Sequence, residues 1–281
     1  MLSTAVILVC QLFLLFSPAS AGFYGSDTAV INLTPKTFKS EIYDTNYTSI
    51  VEFFAEWCGH CKNLRPHYAK AAKSLNGVAK VAAVRCDDQI NQSLCSRYNV
   101  QGYPTLKIFR PNSKVPSNPY VEDYQGARTA KAIVDTVLAK VSNKVRRLKA
   151  EEVQTWIEES NGPNVLLFHN NANTPPMYKG LAIDYAGTAN FGIIRNSQNG
   201  ATKEYGATKE YGATKFPSIV VITTDEEGEH RHTYSGELKK EQLYEYLSGF
   251  ATPVEGARAP KKPKKAKKAK KATEATQHEE L

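Results

Sequence analysis

Cysteine is scarce in this chain of 281 residues, and its positions are unevenly distributed. The chain has five cysteines, and none lies between Asn143 and Thr252. Because thiol–disulfide exchange needs a cysteine thiolate, that stretch cannot perform it. A long hydrophobic run is also missing from the N-terminus, where the apolar residues 6–16 are fewer than the ~20 that a membrane-spanning helix needs. We therefore expect no membrane span, and thiol chemistry is confined to the first half.

Residues 1–21 have the pattern of a secretory signal peptide. The apolar stretch is followed by Ser-Pro-Ala-Ser-Ala, in which Ala19 and Ala21 form a small-residue cleavage signal. No Lys or Arg precedes the stretch, so a buried N-terminal helix is the alternative. Cleavage would remove Cys10 and leave four cysteines, an even number in a chain bound for an oxidising compartment.

Residues 255–281 form a lysine-rich tail. Nine basic residues and four glutamates give it a net charge of +5 out of the chain's +8, so the rest of the chain is near neutral. Such a run repels itself and has no apolar surface to bury, which predicts disorder. The signal peptide argues against nucleic-acid binding, which leaves a solvated spacer or an electrostatic contact with acidic luminal proteins.

The chain ends in His-Glu-Glu-Leu at residues 278–281. This sequence is close to the signals that a retention receptor reads in the endoplasmic reticulum. Together with the signal peptide, it predicts residence in the lumen of the endoplasmic reticulum.

Two cysteines stand where an apolar strand turns into a helix. Residues 49–55 form the strand pattern, and Cys58-Gly59-His60-Cys61 follows. The free N–H groups and the positive dipole end of a helix N-terminus stabilise a thiolate, so the pattern indicates thiol–disulfide exchange. The alternative is half of a zinc site, but Cys86 and Cys95 have eight residues between them rather than the two to four of a zinc knuckle. We therefore expect no metal.

Two segments resemble the catalytic domains of protein disulfide isomerases, which have the thioredoxin fold. They are VEFFAEWCGHCKNLRPHY at residues 51–68 and YNVQGYPTLKIF at residues 98–109. The whole chain resembles the fungal two-domain members with a single CGHC domain. The resemblance implies an α/β fold of two tandem thioredoxin-like domains, each a mixed central sheet flanked by helices, and no cofactor.

The order of the cysteines predicts their roles. Cys58 lies nearest the turn and is the expected nucleophile, whereas Cys61 lies one turn inside the helix and is the expected resolving thiol. Attack by Cys58 on a client disulfide gives a mixed disulfide. Gly59 and His60 are expected to tune the redox balance; a merely exposed histidine is the alternative.

Glu52 interrupts the apolar strand six residues before Cys58. Burial of a carboxylate raises its pKa, so Glu52 could exchange protons near neutral pH, unless the strand turns it toward solvent. The resemblance implies that it takes the proton of Cys61. Many family members place a lysine beside this acid on the next strand, but residues 82–84 here are Ala-Ala-Val, which leaves Lys80 as the alternative.

The resemblance also implies three client-binding residues and a mobile arginine. It implies a cis peptide bond before Pro104, with the Tyr103 backbone pairing with an extended client chain and Trp57 beside it. It places Arg128 where the family has an arginine that swings in to lower the pKa of the second cysteine. An ordinary arginine at a helix start is the alternative.

Cys86 and Cys95 are predicted to form a structural disulfide, with a second redox pair or free buried thiols as alternatives. Glycosylation sequons stand at Asn32, Asn46 and Asn91, and Asn46 is the favoured site.

The predicted domains are a signal peptide (1–21), a catalytic domain (22–142), a redox-inactive domain (143–254) and the tail (255–281). In the inactive domain, Phe216-Pro217 echoes Tyr103-Pro104, and residues 171–176 occupy the place of the CGHC motif without a cysteine. The segment ATKEYG occurs at 201–206 and again at 207–212, which we interpret as a tandem duplication in a connection.

These features predict an enzyme that forms and rearranges disulfides in unfolded or disulfide-containing secretory proteins. Its expected partners are an endoplasmic reticulum thiol oxidase or glutathione, and the retention receptor. The competing hypothesis is a client-binding chaperone whose CGHC motif mainly captures partners.

Overall fold

The structure, a computed structural model, describes residues 22–195 except 113, 116 and 172, together with 216–255 and 257. The predicted signal peptide, the ATKEYG repeats, the lysine run and the C-terminal His-Glu-Glu-Leu lie outside the described residues. The chain divides into two compact units, the first ending at Val141 and the second beginning at Ser142.

The first unit is a five-stranded sheet with helices between its strands. Its described strands are β1 (Ile31–Leu33), β2 (Ser49–Phe54), β3 (Lys80–Arg85), β4 (Thr105–Arg110) and β5 (Tyr120–Asp123). Its described helices are α1 (Pro35–Phe38), α2 (Gly59–Leu75), α3 (Gln92–Arg97) and α4 (Ala130–Lys140), with a π-helical turn at Lys39–Tyr43 and a 3₁₀ turn at Gln89–Asn91.

The strand order β1-β3-β2-β4-β5 makes β2 the central strand. Strands β1, β3 and β2 run parallel, whereas β4 and β5 are antiparallel to their neighbours. All six residues of β2 are buried, which explains its nearly unbroken apolar sequence. Within it, Glu52 pairs with Ala83 on β3 and with Leu106 on β4.

Helix α2 begins directly after Cys58, whose extended backbone caps it. The helix buries residues at intervals of three and four, as an amphipathic helix packed on a sheet does. On the buried face, the Tyr68 hydroxyl donates to the carbonyl oxygens of Ile50 (3.0 Å) and Ala82 (2.8 Å). These bonds fix α2 on strands β2 and β3.

An aromatic cluster and a disulfide form part of the core of the first unit. Tyr98 packs against Phe38, Phe53 and Phe109 with ring centroids 5.2 to 5.4 Å apart. Cys86 and Cys95 are bonded to each other, with their Cα atoms 5.9 Å apart. The disulfide joins the end of β3 to α3.

The second unit has the same arrangement of strands as the first. Its described strands are β6 (Val145–Leu148), β7 (Asn164–His169), β8 (Asn190–Arg195), β9 (Ser218–Asp225) and β10 (Gly228–Tyr234). Its described helices are α5 (Val153–Glu159), α6 (Pro176–Asp184) and α7 (Lys240–Leu247), with a 3₁₀ turn at Ala150–Glu152. The order is β10-β9-β7-β8-β6, with β6, β8 and β7 parallel.

Local contacts also repeat between the units. The Tyr178 hydroxyl donates to the carbonyl oxygens of Val165 (2.8 Å) and Gly192 (2.9 Å), as Tyr68 does to its own two strands. The peptide bonds before Pro104 and Pro217 are both cis. The predicted fold class, α/β with two thioredoxin-like domains, is confirmed.

A buried ion pair lies in the second unit. The Lys240 ammonium is 2.6 Å from the carboxylate of Asp184, and the two side chains are 7% and 0% exposed. The Asp184 carbonyl also accepts a hydrogen bond from the Val254 N–H (2.7 Å).

In the part of the chain that the structure describes, no helix is both long and apolar enough to cross a membrane.

Candidate active site

Cys58 and Cys61 lie at the junction of β2 and α2, and both are reduced in this structure. The Cys61 N–H donates to the Cys58 sulfur at 3.3 Å, so the helix start directs a backbone donor at that sulfur. Cys58 is 6% exposed and Cys61 is 0% exposed. Of the two sulfurs, that of Cys58 is therefore the more accessible from solvent.

The Cys61 thiol is held in its protonated form. Burial raises its pKa to about 12, the hydrogen bond with Cys58 and the nearby charge of Glu52 add to that rise, and a backbone hydrogen bond with Ala55 opposes it. Since only the thiolate attacks a disulfide, Cys61 needs a base to become a nucleophile at neutral pH.

Glu52 is fully buried, so the alternative that it faces solvent does not hold. Burial raises its pKa from the ordinary 4.5 to about 7, against the opposing effects of a hydrogen bond from Tyr24 and the positive charge of Arg128. A carboxyl group with such a pKa can take up and release a proton near neutral pH.

Sequence reasoning missed Tyr24. Its hydroxyl donates a hydrogen bond to Glu52 Oε2, and its ring is buried. The two residues are 28 positions apart, and no periodicity connects them. The only local signal is the aromatic pair Phe23-Tyr24 ahead of β1.

Lys80 does not take the place of the family's lysine. Its ammonium donates to the backbone oxygen (2.9 Å) and the carboxylate (3.2 Å) of Glu41. Along the β2–β3 register it stands opposite Ser49, three residues before the Ala83 that faces Glu52. The acid therefore has an alanine beside it on β3.

Arg128 lies immediately before Thr129, the N-cap of α4. One guanidinium nitrogen donates to the Pro104 carbonyl at 3.2 Å, and its charge acts on Glu52. The structure thus places Arg128 at a helix start and also beside the site, so the two interpretations of this residue are compatible.

An aromatic surface borders Cys58. The Cys58 thiol donates to the Tyr103 carbonyl at 3.5 Å, and Pro104 follows in cis. Trp57 is 70% exposed and meets the Tyr103 ring edge-on at 6.0 Å. Such an exposed aromatic residue beside a reactive sulfur offers apolar contact area to a bound chain.

The two residues between the cysteines are both exposed. A Cβ added at Gly59 would meet no atom within 4 Å, so packing does not require glycine there. His60 is exposed in the first turn of α2.

The remaining candidates are the Cys86–Cys95 pair and the glycosylation sequons. Since Cys86 and Cys95 bind each other, they cannot complete a zinc site with Cys58 and Cys61. Asn46 is exposed, and the amide of Asn32 donates to the Tyr24 carbonyl (2.8 Å).

The sequon at Asn91 needs correction. Its side chain is 3% exposed, and its amide donates to the Arg85 carbonyl at 2.8 Å. The fold leaves no room for a glycan on that nitrogen, so we do not retain it as a glycosylation candidate in the folded protein.

The second unit has no thiol at the equivalent place. Strand β7 ends at His169 and α6 begins at Pro176, so the segment between them occupies the position of the CGHC turn. The cis peptide bond before Pro217 is present without a cysteine in that segment.

The sequence is similar to thioredoxin domains and to protein disulfide-isomerases. The family model described as thioredoxin matches residues 29–139. A protein disulfide-isomerase of Dictyostelium discoideum is 36% identical over 231 residues, which are 82% of this chain and 54% of that protein. Protein disulfide-isomerase MPD1 of Saccharomyces cerevisiae is 39% identical over 203 residues, covering 68% of this chain and 64% of the relative.

A mammalian relative matches over a shorter stretch. Protein disulfide-isomerase A6 of Mesocricetus auratus is 46% identical over 137 residues, which are 49% of this chain and 29% of that protein. The chain therefore spans less than two thirds of each of these three relatives.

Proposed function

Since the chain belongs to the protein disulfide isomerase family, we propose that it catalyses thiol–disulfide exchange, and that it forms and rearranges disulfides in client proteins of the secretory pathway. The observation that carries the proposal is the pairing of a slightly exposed Cys58 at a helix start with a buried Cys61 next to a buried acid. In this proposal each group has one step of the reaction.

In the reductive direction, the Cys58 thiolate attacks one sulfur of a client disulfide. A bond forms between Cys58 and that sulfur, the client disulfide breaks, and the other client sulfur leaves as a thiolate. The N–H of Cys61 stabilises the attacking thiolate.

Release of the client requires Cys61. Glu52 accepts its proton, and the resulting thiolate attacks the Cys58 sulfur, so the Cys58–Cys61 bond forms and the client thiolate leaves. Because the Cys61 pKa is about 12, the acid is needed most at neutral pH. The reverse sequence oxidises a client dithiol.

Net oxidation of clients consumes the Cys58–Cys61 disulfide. We propose that a luminal thiol oxidase or oxidised glutathione restores it by accepting the two electrons. Isomerisation needs no such oxidant, because the client thiolate that is released attacks another sulfur of the same chain.

Clients would bind beside Cys58 in extended form. The Tyr103 backbone, 3.5 Å from that sulfur, can pair with a client strand, and Trp57 supplies apolar contact. Main-chain pairing demands no particular client sequence, which suits an enzyme with many substrates.

The proposed location is the lumen of the endoplasmic reticulum. The Cys86–Cys95 disulfide supports an oxidising compartment, since such bonds are rare in the cytosol. Removal of residues 278–281 should send active protein into the medium, and a truncated protein that stays soluble inside the cell would contradict retention through this segment.

The second candidate function is client capture by a chaperone, which the exposure of Trp57 favours. Oxidative refolding of a reduced secretory protein with several disulfides separates the two. The enzyme hypothesis predicts that Cys58→Ser combined with Cys61→Ser loses all turnover. If the double variant still accelerates recovery of native disulfides, the enzyme hypothesis fails; if it only keeps suppressing aggregation, capture is a separate activity.

A further inference from the structure

We propose that Tyr24 is a positioning residue for proton transfer between Cys61 and Glu52: its hydroxyl holds one carboxylate oxygen and leaves the other to accept the thiol proton. This inference rests on the proposed exchange function and deepens it. It assigns a role to a residue that belongs neither to the CGHC motif nor to the strand that carries the acid.

The two oxygens of Glu52 have different surroundings. Oε2 accepts the hydrogen bond from the Tyr24 hydroxyl. Oε1 is buried and has no hydrogen-bond partner among the described residues. A buried acceptor without a partner is unfavourable, so an incoming proton is stabilised more at Oε1 than at Oε2.

The Tyr24 ring is fixed in place by packing. It meets Phe54 edge-on at 5.8 Å and Tyr68 at the same distance. Its neighbour Phe23 stacks on Phe54 at 4.5 Å, and the guanidinium of Arg65 lies 5.3 Å above the Phe23 ring. The residue therefore stays next to the acid without relying on its hydroxyl bond.

The backbone of this segment is also held. The Asn32 amide on β1 donates to the Tyr24 carbonyl at 2.8 Å. Strand β1 in turn pairs with β3, next to the strand that carries Glu52. Tyr24 is thus held against the sheet through both its side chain and its main chain.

The titratable and charged groups that act on Glu52 come from the surrounding elements. Tyr68 and Cys61 lie on α2, Arg128 precedes α4, and Tyr24 lies before β1. The residues opposite Glu52 on β3 and β4 are Ala83 and Leu106, which do not titrate.

The direction of the effect follows from these neighbours. The Tyr24 bond lowers the pKa of Glu52 against the rise that burial causes. Burial and the charge of Glu52 raise the pKa of Tyr24 far above its usual range, so the phenol stays a donor throughout the working pH range. Removing the hydroxyl should leave Glu52 protonated to a higher pH.

The test is Tyr24→Phe in the full chain, which keeps the ring and removes only the hydroxyl. A mixed disulfide between Cys58 and glutathione is formed, and its resolution by Cys61 is followed from pH 5.5 to 9 by rapid quenching. We expect the midpoint of the rise in rate to move upward by about 0.5 to 1 pH unit, which slows resolution about three- to tenfold below the midpoint. The rates should converge at alkaline pH, and formation of the mixed disulfide should not change.

The matched control is Tyr98→Phe, which removes a hydroxyl bonded to Tyr43 at 2.5 Å in the same unit. It should leave the midpoint where the wild-type chain has it. An unchanged profile in Tyr24→Phe, beside a profile altered by Glu52→Gln, would overturn the role of Tyr24 and leave the exchange function intact. Failure of the wild-type chain to form or resolve any mixed disulfide would instead overturn the exchange function.

If Tyr24→Phe does not fold, the proposal is tested on the wild-type protein by NMR. The buried hydroxyl proton of Tyr24, hydrogen-bonded to Glu52, should give a downfield proton resonance that correlates with the Tyr24 ring and moves as Glu52 titrates. A Glu52 titration that leaves every tyrosine hydroxyl and ring resonance unmoved would overturn the proposal.

Discussion

The sulfur of Cys58 lies 3.5 Å from the carbonyl oxygen of Tyr103, to which its thiol donates. The reacting atom and the main chain proposed to bind clients therefore touch. A client strand paired with the Tyr103 backbone would bring its own sulfur to Cys58 without a separate binding pocket.

The first prediction separates the two cysteines. Cys58→Ser should reduce exchange to the uncatalysed rate, because Cys61 is buried and mostly protonated. Cys61→Ala should still attack once and then remain bound to its client. Mass spectrometry of the trapped adducts checks this, and equal alkylation rates of the two reduced thiols at neutral pH would contradict the assignment.

The second prediction concerns Glu52 and the pH dependence of stability. Its pKa is about 7 in the folded chain against an ordinary 4.5, so between these values the unfolded chain is ionised while the folded chain keeps its proton. Stability therefore falls as pH rises through this window. Glu52→Gln removes that loss, and it should stabilise the protein by up to roughly 3 kcal/mol above pH 7 and little below pH 4.5.

Chemical denaturation at pH 4.5, 6 and 8 measures this difference. The same variant should slow resolution of mixed disulfides more than their formation, because deprotonation of Cys61 is the step that needs the base. A stability gain that does not depend on pH would mean that folding does not shift the pKa of Glu52.

The third prediction concerns the Cys86–Cys95 disulfide. It closes a loop of about ten residues, which corresponds to roughly 2.5 to 3 kcal/mol in the chain-entropy model, as an upper figure. Replacing both cysteines with alanine should lower the stability of the first unit by up to this amount and leave exchange by Cys58 working. Hydrogen exchange of β3 and α3 reports the loss, and two free thiols at these positions in the oxidised wild type would refute the assignment.

The fourth prediction addresses the buried pair Lys240–Asp184. Lys240→Met should destabilise the second unit by about 3 to 5 kcal/mol, because it leaves a buried carboxylate without its ammonium partner. Adding Asp184→Leu should recover most of that loss. Trp156, which is buried in this unit, reports its unfolding by fluorescence in a Trp57→Phe background.

Exchange activity is the control for this last pair of variants. The dithiol and its acid lie in the first unit, so activity below the unfolding temperature should match that of the Trp57→Phe background. A loss of activity in the folded Lys240→Met variant would show that the second unit contributes to the reaction.

Local sequence patterns predicted the parts of the site that depend on neighbours in the chain. The dithiol at the start of α2 follows from an apolar strand running into Cys58. The alternation of residues could not decide the side of Glu52, because both sides of the central strand are buried.

Long-range pairings were beyond such patterns. The hydrogen bond from Lys80 to Glu41 depends on the strand register, which places Ala83, and not Lys80, opposite Glu52. The contact of Tyr24 with Glu52 depends on where the segment ahead of β1 packs against the sheet.

The contacts described around the dithiol are made by residues from Phe23 to Arg128, within the first unit. In evolutionary terms, we expect selection on the proposed exchange chemistry to act mainly on this contiguous part of the gene. The repeated ATKEYG segment at residues 201–212 lies in the other half of the chain, apart from the residues that make these contacts. We therefore expect substitutions in the second unit to change the proposed exchange chemistry less than substitutions in the first.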